Sequence, residues 1–292
     1  MKRTTLFATL AVLGLGTSAY SADLERPRVV QPPKYTPPPP AKKPVIAGWY
    51  LRGHIGMSNQ RVGSLHNVLF DGVDDLDFLD PGGFSSAPVA GGGVGYRFNS
   101  HLRGDITAEY RGKADFSALD RYDFVDDGDP STWDGTNEYS AKKSEWLLLA
   151  NAYVDLGSWH GISPYVGAGI GASRNTIHHF RDINVPNEGV AYGGTDSKWN
   201  FAWALHAGLG YQITDALTLD VGYSYLDLGD AQSGDIITYE GANTVDNPMH
   251  FEDLTSHDFK LGFRYQFGGG YTPEPEYVAY DPAPSYKPPV FK

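Results

Sequence analysis

The chain has 292 residues, with 35 Asp and Glu against 23 Lys and Arg, a formal net charge of −12 and no cysteine. The acidic balance excludes a nucleic-acid binder, which needs clustered Lys and Arg, and the lack of cysteine excludes a disulfide framework and thiol chemistry. Mean hydropathy is −0.36 although 41 % of residues are hydrophobic; no apolar run attains the length of about 18 residues that a membrane helix needs, whereas 35 glycines and 19 tyrosines suit many strands joined by acidic loops.

Residues 1–21 read as a secretory signal peptide. Lys2 and Arg3 form its charged start, Leu6 to Gly16 its apolar stretch, and Ala19-Tyr20-Ser21 places small residues at −3 and −1 of a cut before Ala22. The mature chain then begins Ala22-Asp23. Residues 22–47 are proline-rich, with PPKYTPPPPAKKP at their centre, and residues 268–292 form a similar tail. Such runs favour extended polyproline II and cannot join a sheet. They are expected to be disordered tails, serving as plain linkers or as binding segments.

Between the tails, apolar and polar residues alternate with period two, the mark of strands. Trp49, Leu51, Gly53, Ile55 and Met57 share one face, with Arg52 and His54 on the other. Pro88 to Phe98 follows, with Val94, Tyr96 and Phe98 opposite Arg97, and then Leu102 to Tyr110, where Ile106 and Ala108 oppose Arg103, Asp105 and Glu109. Glu145 to Leu156 sets Trp146, Leu148 and Val154 against Glu145, Asn151 and Asp155; Pro164 to Ala172 sets Val166 and Ile170 against Tyr165 and glycines. Asn200 to Gln212 sets Phe201, Leu205 and Leu209 against His206, and Leu217 to Tyr225 sets Val221 and Tyr223 against Asp220. Last comes His257 to Phe267, with Phe259, Leu261, Phe263, Tyr265 and Phe267 against Asp258, Lys260 and Arg264.

Eight segments of this length fit an eight-stranded antiparallel transmembrane β-barrel over residues 48–267. Short connections near Asn99-Ser100, Gly157 to Gly161 and Thr214 to Ala216 alternate with long ones over 59–86, 111–143, 174–198 and 227–255. Short turns on one side and long loops on the other mark barrels of an outer membrane. An even strand number returns both termini to the periplasm and leaves the long loops at the cell surface. Trp49, Tyr96, Phe98, Tyr211 and Phe267 fit a periplasmic aromatic girdle, and Tyr110, Trp146, Phe201, Tyr225 and Phe259 an outer one. The inward faces carry Arg52, Arg97, Arg103, Lys260 and Arg264 against Asp105, Glu109, Glu145, Asp155, Asp220 and Asp258. Buried charges persist when paired, and eight strands enclose only enough space for side chains. A paired, largely plugged interior is therefore expected, with the inward glycines leaving room for long side chains or for water.

HDFKLGFRYQF (257–267), with its final Phe267, resembles the terminal signal that barrel-assembly machinery recognises. PYVGAGIGAS (164–173) and GWYLRGHIG (48–56) are similar to small surface-antigen barrels of the alphaproteobacterial outer membrane. These are part of the broad porin family that includes the OmpA transmembrane domain and the opacity-type adhesins. The resemblance implies an envelope barrel whose partners are outer-membrane lipid, lipopolysaccharide and the assembly machinery. Two departures stand out. Here 25 residues follow Phe267, too few and too proline-rich for the folded wall-binding domain that follows the OmpA barrel. Several barrels of this kind are joined to peptidoglycan through a mature Ala-Asp terminus, and Ala22-Asp23 matches that pattern.

Other constellations are weaker. Asp127, Asp129, Ser131 and Glu138 fit a calcium loop, but Thr132 stands where that loop needs glycine, and solvated loop charge explains them. His178-His179 lacks a nearby ligand set, and His54 and His206 read as interior polar fillers. An outer-rim enzyme would need Ser144, Glu145, His178 and His257 to converge. No cofactor and no metal are expected. The leading expectation is a structural envelope barrel with antigenic or adhesive loops, ahead of a narrow channel for small solutes, and an enzyme acting on lipid or protein comes last.

Overall fold

The computed structural model describes residues 47–124, 133–241 and 244–267. The signal peptide, Ala22 and Asp23, both proline-rich tails, and Asp127, Asp129 and Ser131 lie outside the described residues. Among those described, eight long strands form the frame: β1 (Gly48–Arg61), β2 (Ala87–Arg97), β3 (Leu102–Asp123), β4 (Gly135–Asp155), β5 (Ile162–Asn184), β6 (Asp196–Gln212), β7 (Leu217–Asp227) and β8 (Thr255–Gln266). Each pairs antiparallel with its neighbour in sequence, and β1 pairs with β8 from Tyr50↔Gln266 to Arg61↔Thr255, so the ring closes without an edge. Closure satisfies every ladder group within the wall, which is what a sheet must do to sit in hydrocarbon.

Three tight turns share one rim. Asn99 Oδ1 accepts from the backbone N–H groups of His101 and Leu102, both at 2.8 Å, and Thr214 Oγ1 accepts from Leu217 N at 3.0 Å. Gly157 and Gly161 take φ of 114° and 84° in the third turn, a region that favours glycine. Gly48 and Gln266, the two ends of the ring, lie at this same rim. On the lipid-facing side of β4, Trp146, Leu148, Ala150, Ala152 and Val154 alternate with buried residues, and exposed Leu156 follows the strand in the same phase. Ten residue steps at the strand tilt give a band roughly 25 Å tall, which matches the apolar belt of an outer-membrane barrel.

The wall does not stop at that belt. The segments 111–143 and 174–198, expected from sequence to be loops, are largely strand: β3 runs to Asp123, β4 starts at Gly135, β5 runs to Asn184 and β6 starts at Asp196. A bulge explains why the periodicity is hard to follow. Arg111 pairs with Glu145, but the next pair is Ala114 with Lys143, so β3 carries one extra residue at Gly112-Lys113. Beyond it the alternation continues in the opposite phase, with Ala114, Phe116 and Ala118 now facing inward. A second irregularity between Ser140 and Lys142 places His179 at φ 52° on β5. The strand Asp75–Phe84 pairs with upper β3, and Gly189–Gly193 with upper β5, widening the outer section.

Candidate functional site: a filled interior and its outer lid

Inside the membrane belt the barrel holds two layers of ion pairs. In the layer nearer the short turns, Arg52 Nη1 donates to Asp105 Oδ2 at 3.0 Å and to Tyr153 Oη at 2.7 Å. Arg103 Nε donates to Asp155 Oδ1 at 3.1 Å, and Arg97 Nη1 lies 3.3 Å from the other oxygen of that carboxylate. Arg264 Nη2 donates to Asp220 Oδ1 at 3.2 Å. The Arg103 guanidinium also sits 4.1 Å and 4.6 Å from the ring centres of Tyr153 and Tyr165. Tyr50 Oη donates to Asp105, and Asn151 Nδ2 donates to its second oxygen at 2.8 Å.

The second layer centres on a residue that the sequence reading placed in a loop. Arg111 has a fully buried side chain and reaches Glu145 Oε1 at 3.0 Å, Glu109 Oε2 at 3.1 Å and Asp258 Oδ2 at 2.5 Å. Lys260 Nζ donates to both oxygens of Glu109 at 2.8 Å. Lys143, also fully buried, donates to Glu145 Oε2 and Gln60 Oε1, each at 2.8 Å. Charges at this depth are tolerated only because each carboxylate meets several donors. His54 Nε2 is 3.0 Å from Glu109 Oε1, within ion-pair range but out of hydrogen-bond alignment.

Between the layers, His206 Nε2 donates to Asn151 Oδ1 at 3.1 Å, and its Nδ1 accepts from Ser224 Oγ at 2.9 Å. His54 and His206 thus occupy interior filler positions. The inward glycines make the fit feasible. A Cβ at Gly208 would meet Tyr165 Oη at 2.5 Å, and one at Gly91 would meet His54 Nε2 at 2.9 Å. The space left among Arg52, His54, Glu109, Asn151, His206 and Lys260 is about 20 Å³, room for roughly one water.

Above the belt the interior changes character. Phe116, Tyr139, Ile177, Phe180, Leu226, Leu228, Met249, Phe251 and Leu254 form an apolar core, which continues down the β4–β6 wall through Leu147, Leu149, Ala202 and Ala204. Phe251 is its hub, with ring centres of Phe116, Phe84 and Phe180 at 4.9, 6.0 and 6.3 Å. The chain between β7 and β8 folds back into the barrel mouth to supply it. Its carbonyl at Leu228 accepts from Ser173 Oγ at 2.5 Å and Asn175 Nδ2 at 2.8 Å, which ties it to β5. Ser64–His66, Ala231–Gln232 and His250–Glu252 form a small three-stranded sheet over the mouth. This is the lid.

Two acidic groups inside the outer section hold their protons more tightly than usual. Tyr139 Oη donates to Asp120 Oδ2 at 2.7 Å, and Asp182 sits across the strand from Tyr139. Burial and the neighbouring Asp120 charge push the Asp182 carboxyl up to about 7, and burial also raises Asp120.

The outer-rim set expected for an enzyme does not converge. Ser144 Oγ and His178 Nε2 are 2.8 Å apart on the outer wall, but Glu145 points inward to Arg111 and Lys143, and His257 pairs with Tyr223 Oη at 2.7 Å. Glu138 is exposed on β4. Among the described residues no group of three or more His, Asp or Glu could hold a metal. On β8, Phe259, Leu261, Phe263, Tyr265 and the following Phe267 all face outward and are exposed.

The sequence is similar to several known proteins. It is 33 % identical to an uncharacterized Brucella suis protein over 91 % of this chain and all of that one. It is 30 % identical to the outer membrane protein PagN of Salmonella typhimurium, over 61 % of this chain and 73 % of PagN. Among solved structures, Neisserial surface protein A aligns with a TM-score of 0.42 at 16 % identity, covering 76 % of this chain and 99 % of that one. The model of the outer membrane protein beta-barrel domain matches residues 36–267, and the chain belongs to that family of the Gram-negative outer membrane.

Proposed function

We propose that this barrel is a structural and surface protein of the envelope rather than a conduit. The observation that carries the reading is the filled interior. Two layers of ion pairs lie beneath an apolar lid, and the cavity described among the interior residues holds roughly one water. A narrow channel for small solutes would need a continuous wet path through both, and an enzyme would need its reacting groups on one face. The outward ladder from Phe259 to Phe267 serves as the assembly signal, since it lies on the strand that closes the ring against β1.

In this reading the outer section presents antigenic or adhesive surface, and a Rickettsia prowazekii relative at 27 % identity is named as a candidate adhesin. The proline-rich segment 22–47 spans the gap to the cell wall, and Ala22 is the point of covalent linkage to peptidoglycan. Muramidase digests of purified sacculi test the linkage: a muropeptide carrying the Ala22-Asp23 end supports it, and digests from barrel-rich envelopes that lack one refute it. The cysteine-free chain gives a clean test of sidedness. Tyr239→Cys, at a position 81 % exposed in the outer section, should react with an impermeant maleimide on intact cells. Ser100→Cys, in a short turn, should react only after permeabilisation. The opposite pattern would invert the topology.

A further inference from the structure

Arg174 stands in an unusual place on the outer wall. Cross-strand pairing puts Tyr110, Trp146, Arg174 and Trp199 in one row over β3 to β6, so Arg174 faces outward between two tryptophans. Trp146 and Trp199 are 50 % and 58 % exposed. One step further from the membrane comes a row of hydroxyls, Ser144, Thr176 and Ser197, with Thr176 and Ser197 oxygens 3.0 Å apart. Lys113 emerges at the β3 bulge beside this row, and its side is exposed. His178, bonded to Ser144, completes the patch. Burial, the Lys113 charge and His179 together hold the His178 imidazole below its usual range, as expected where positive charge gathers.

Among the described residues neither Lys113 nor Arg174 has an ion-pair partner, whereas Lys142 beside them is paired with Asp115. On a chain of net charge −12, unpaired cations in two adjacent rows of one wall call for an anion at that level. The tryptophans fix what the height is, because indole rings settle at the level of lipid headgroups. Apolar residues Leu148 and Ala172 continue the wall toward the bilayer interior, where acyl chains would run.

We propose that the patch of Lys113, Arg174 and His178, with the hydroxyls of Ser144 and Thr176, binds the phosphorylated headgroup of a glycolipid in the outer leaflet. The guanidinium fork matches a phosphate edge, Lys113 supplies a second charge, and the hydroxyls suit sugar oxygens. This rests on the envelope reading above, because it takes the lid side to be the outer side.

The test uses the mature chain folded in phosphatidylcholine vesicles carrying bisphosphorylated lipid A, with lipid retained per barrel measured after purification in mild detergent. Matched vesicles carry dephosphorylated lipid A or phosphatidylglycerol. Retention should require the phosphates and exceed that of phosphatidylglycerol. The double variant Lys113→Gln/Arg174→Gln should retain at least about tenfold less, since each surface cation contributes on the order of 1 kcal/mol toward an anionic lipid. Arg174→Lys should lose less than Arg174→Gln. Equal retention by the double variant, or equal retention of phosphatidylglycerol, would overturn the proposal. Equally tight binding of inorganic phosphate to the solubilised barrel would reassign the patch to a free ion and overturn it too. Heat-modifiable gel migration reports folding of each variant. Labelling at Tyr239→Cys reports sidedness, so failure of the envelope reading would appear there and not in lipid retention.

Discussion

The lower and upper halves of this barrel are built on the same strands with opposite rules. Within the belt, β3 turns Arg103, Asp105 and Glu109 inward and Ile106 and Ala108 outward. Past the bulge it turns Ala114, Phe116 and Ala118 inward and Asp115 and Ser117 outward. The backbone is continuous and the solvent is not. In hydrocarbon the apolar face is the outer one and polar groups must find partners inside. In water the same sheet buries its apolar face, as an ordinary soluble protein does. A single extra residue, at Gly112-Lys113, marks the change on β3.

The contrast can be broken at either half. Arg111→Met removes the cation shared by Glu109, Glu145 and Asp258 and leaves Lys143 and Lys260 to face three buried carboxylates, one negative charge in excess; the barrel should lose about 3–5 kcal/mol in denaturant unfolding from vesicles. A loss under 1 kcal/mol would show that the interior charges are not mutually dependent. In the upper half, Phe251→Ala empties the hub of the apolar core and should also cost about 3–5 kcal/mol, but locally. Limited proteolysis should then cut the lid while the heat-modifiable barrel persists. Simultaneous loss of both would mean that the two sections fold as one unit.

A matched pair of substitutions sharpens the comparison. Ile106→Lys, on the lipid face near mid-belt, should cost about 2–4 kcal/mol. Ser117→Lys, on the outer face of the same strand above the bulge, should stay within about 0.5 kcal/mol. Similar costs at both sites would erase the solvent boundary assigned here.

The Asp182 carboxyl adds a pH dependence confined to the upper section. Its folded pKa, about 7, lies above the ordinary 3.8, so the folded form holds the proton more tightly than the unfolded one. The resulting stabilisation is fully present below about pH 4 and is lost as pH rises through 7. Hydrogen-exchange protection of the strand ends around Tyr139 and Asp182, taken relative to the intrinsic base-catalysed rate at each pH, should fall between pH 6 and about 8, and Asp182→Asn should flatten that response. The smallest effect is expected at Lys142→Ala. Its pair with Asp115 is exposed on both sides, so removing it should change stability by at most about 0.5 kcal/mol.

The eight belt segments were legible because lipid on one face and a paired interior on the other enforce a strict alternation over nine or more residues. The outer section was less legible for a physical reason. At Arg111 to Ala114 the phase slips by one residue and the inward residues change from charged to apolar. A pattern followed from Tyr110 therefore ends just where the strand continues. Period two resumes from Ala114 to Ala118, and reading that stretch on its own phase would have found the extension; Arg111 and Lys143 as interior cations follow instead from carrying the belt phase one step past Glu109 and Glu145. The interior partners themselves have no local signature. Lys260 and Glu109 are 151 residues apart in sequence, and only closure of the ring brings them together.

Planar-bilayer recording from the purified, refolded chain tests the central claim most directly. A barrel filled by two ion-pair layers and covered by an apolar lid should give no stable unitary conductance, while Phe251→Ala and Arg111→Met should raise transient openings above that baseline. A stable, reproducible conductance from the unaltered protein would contradict the account.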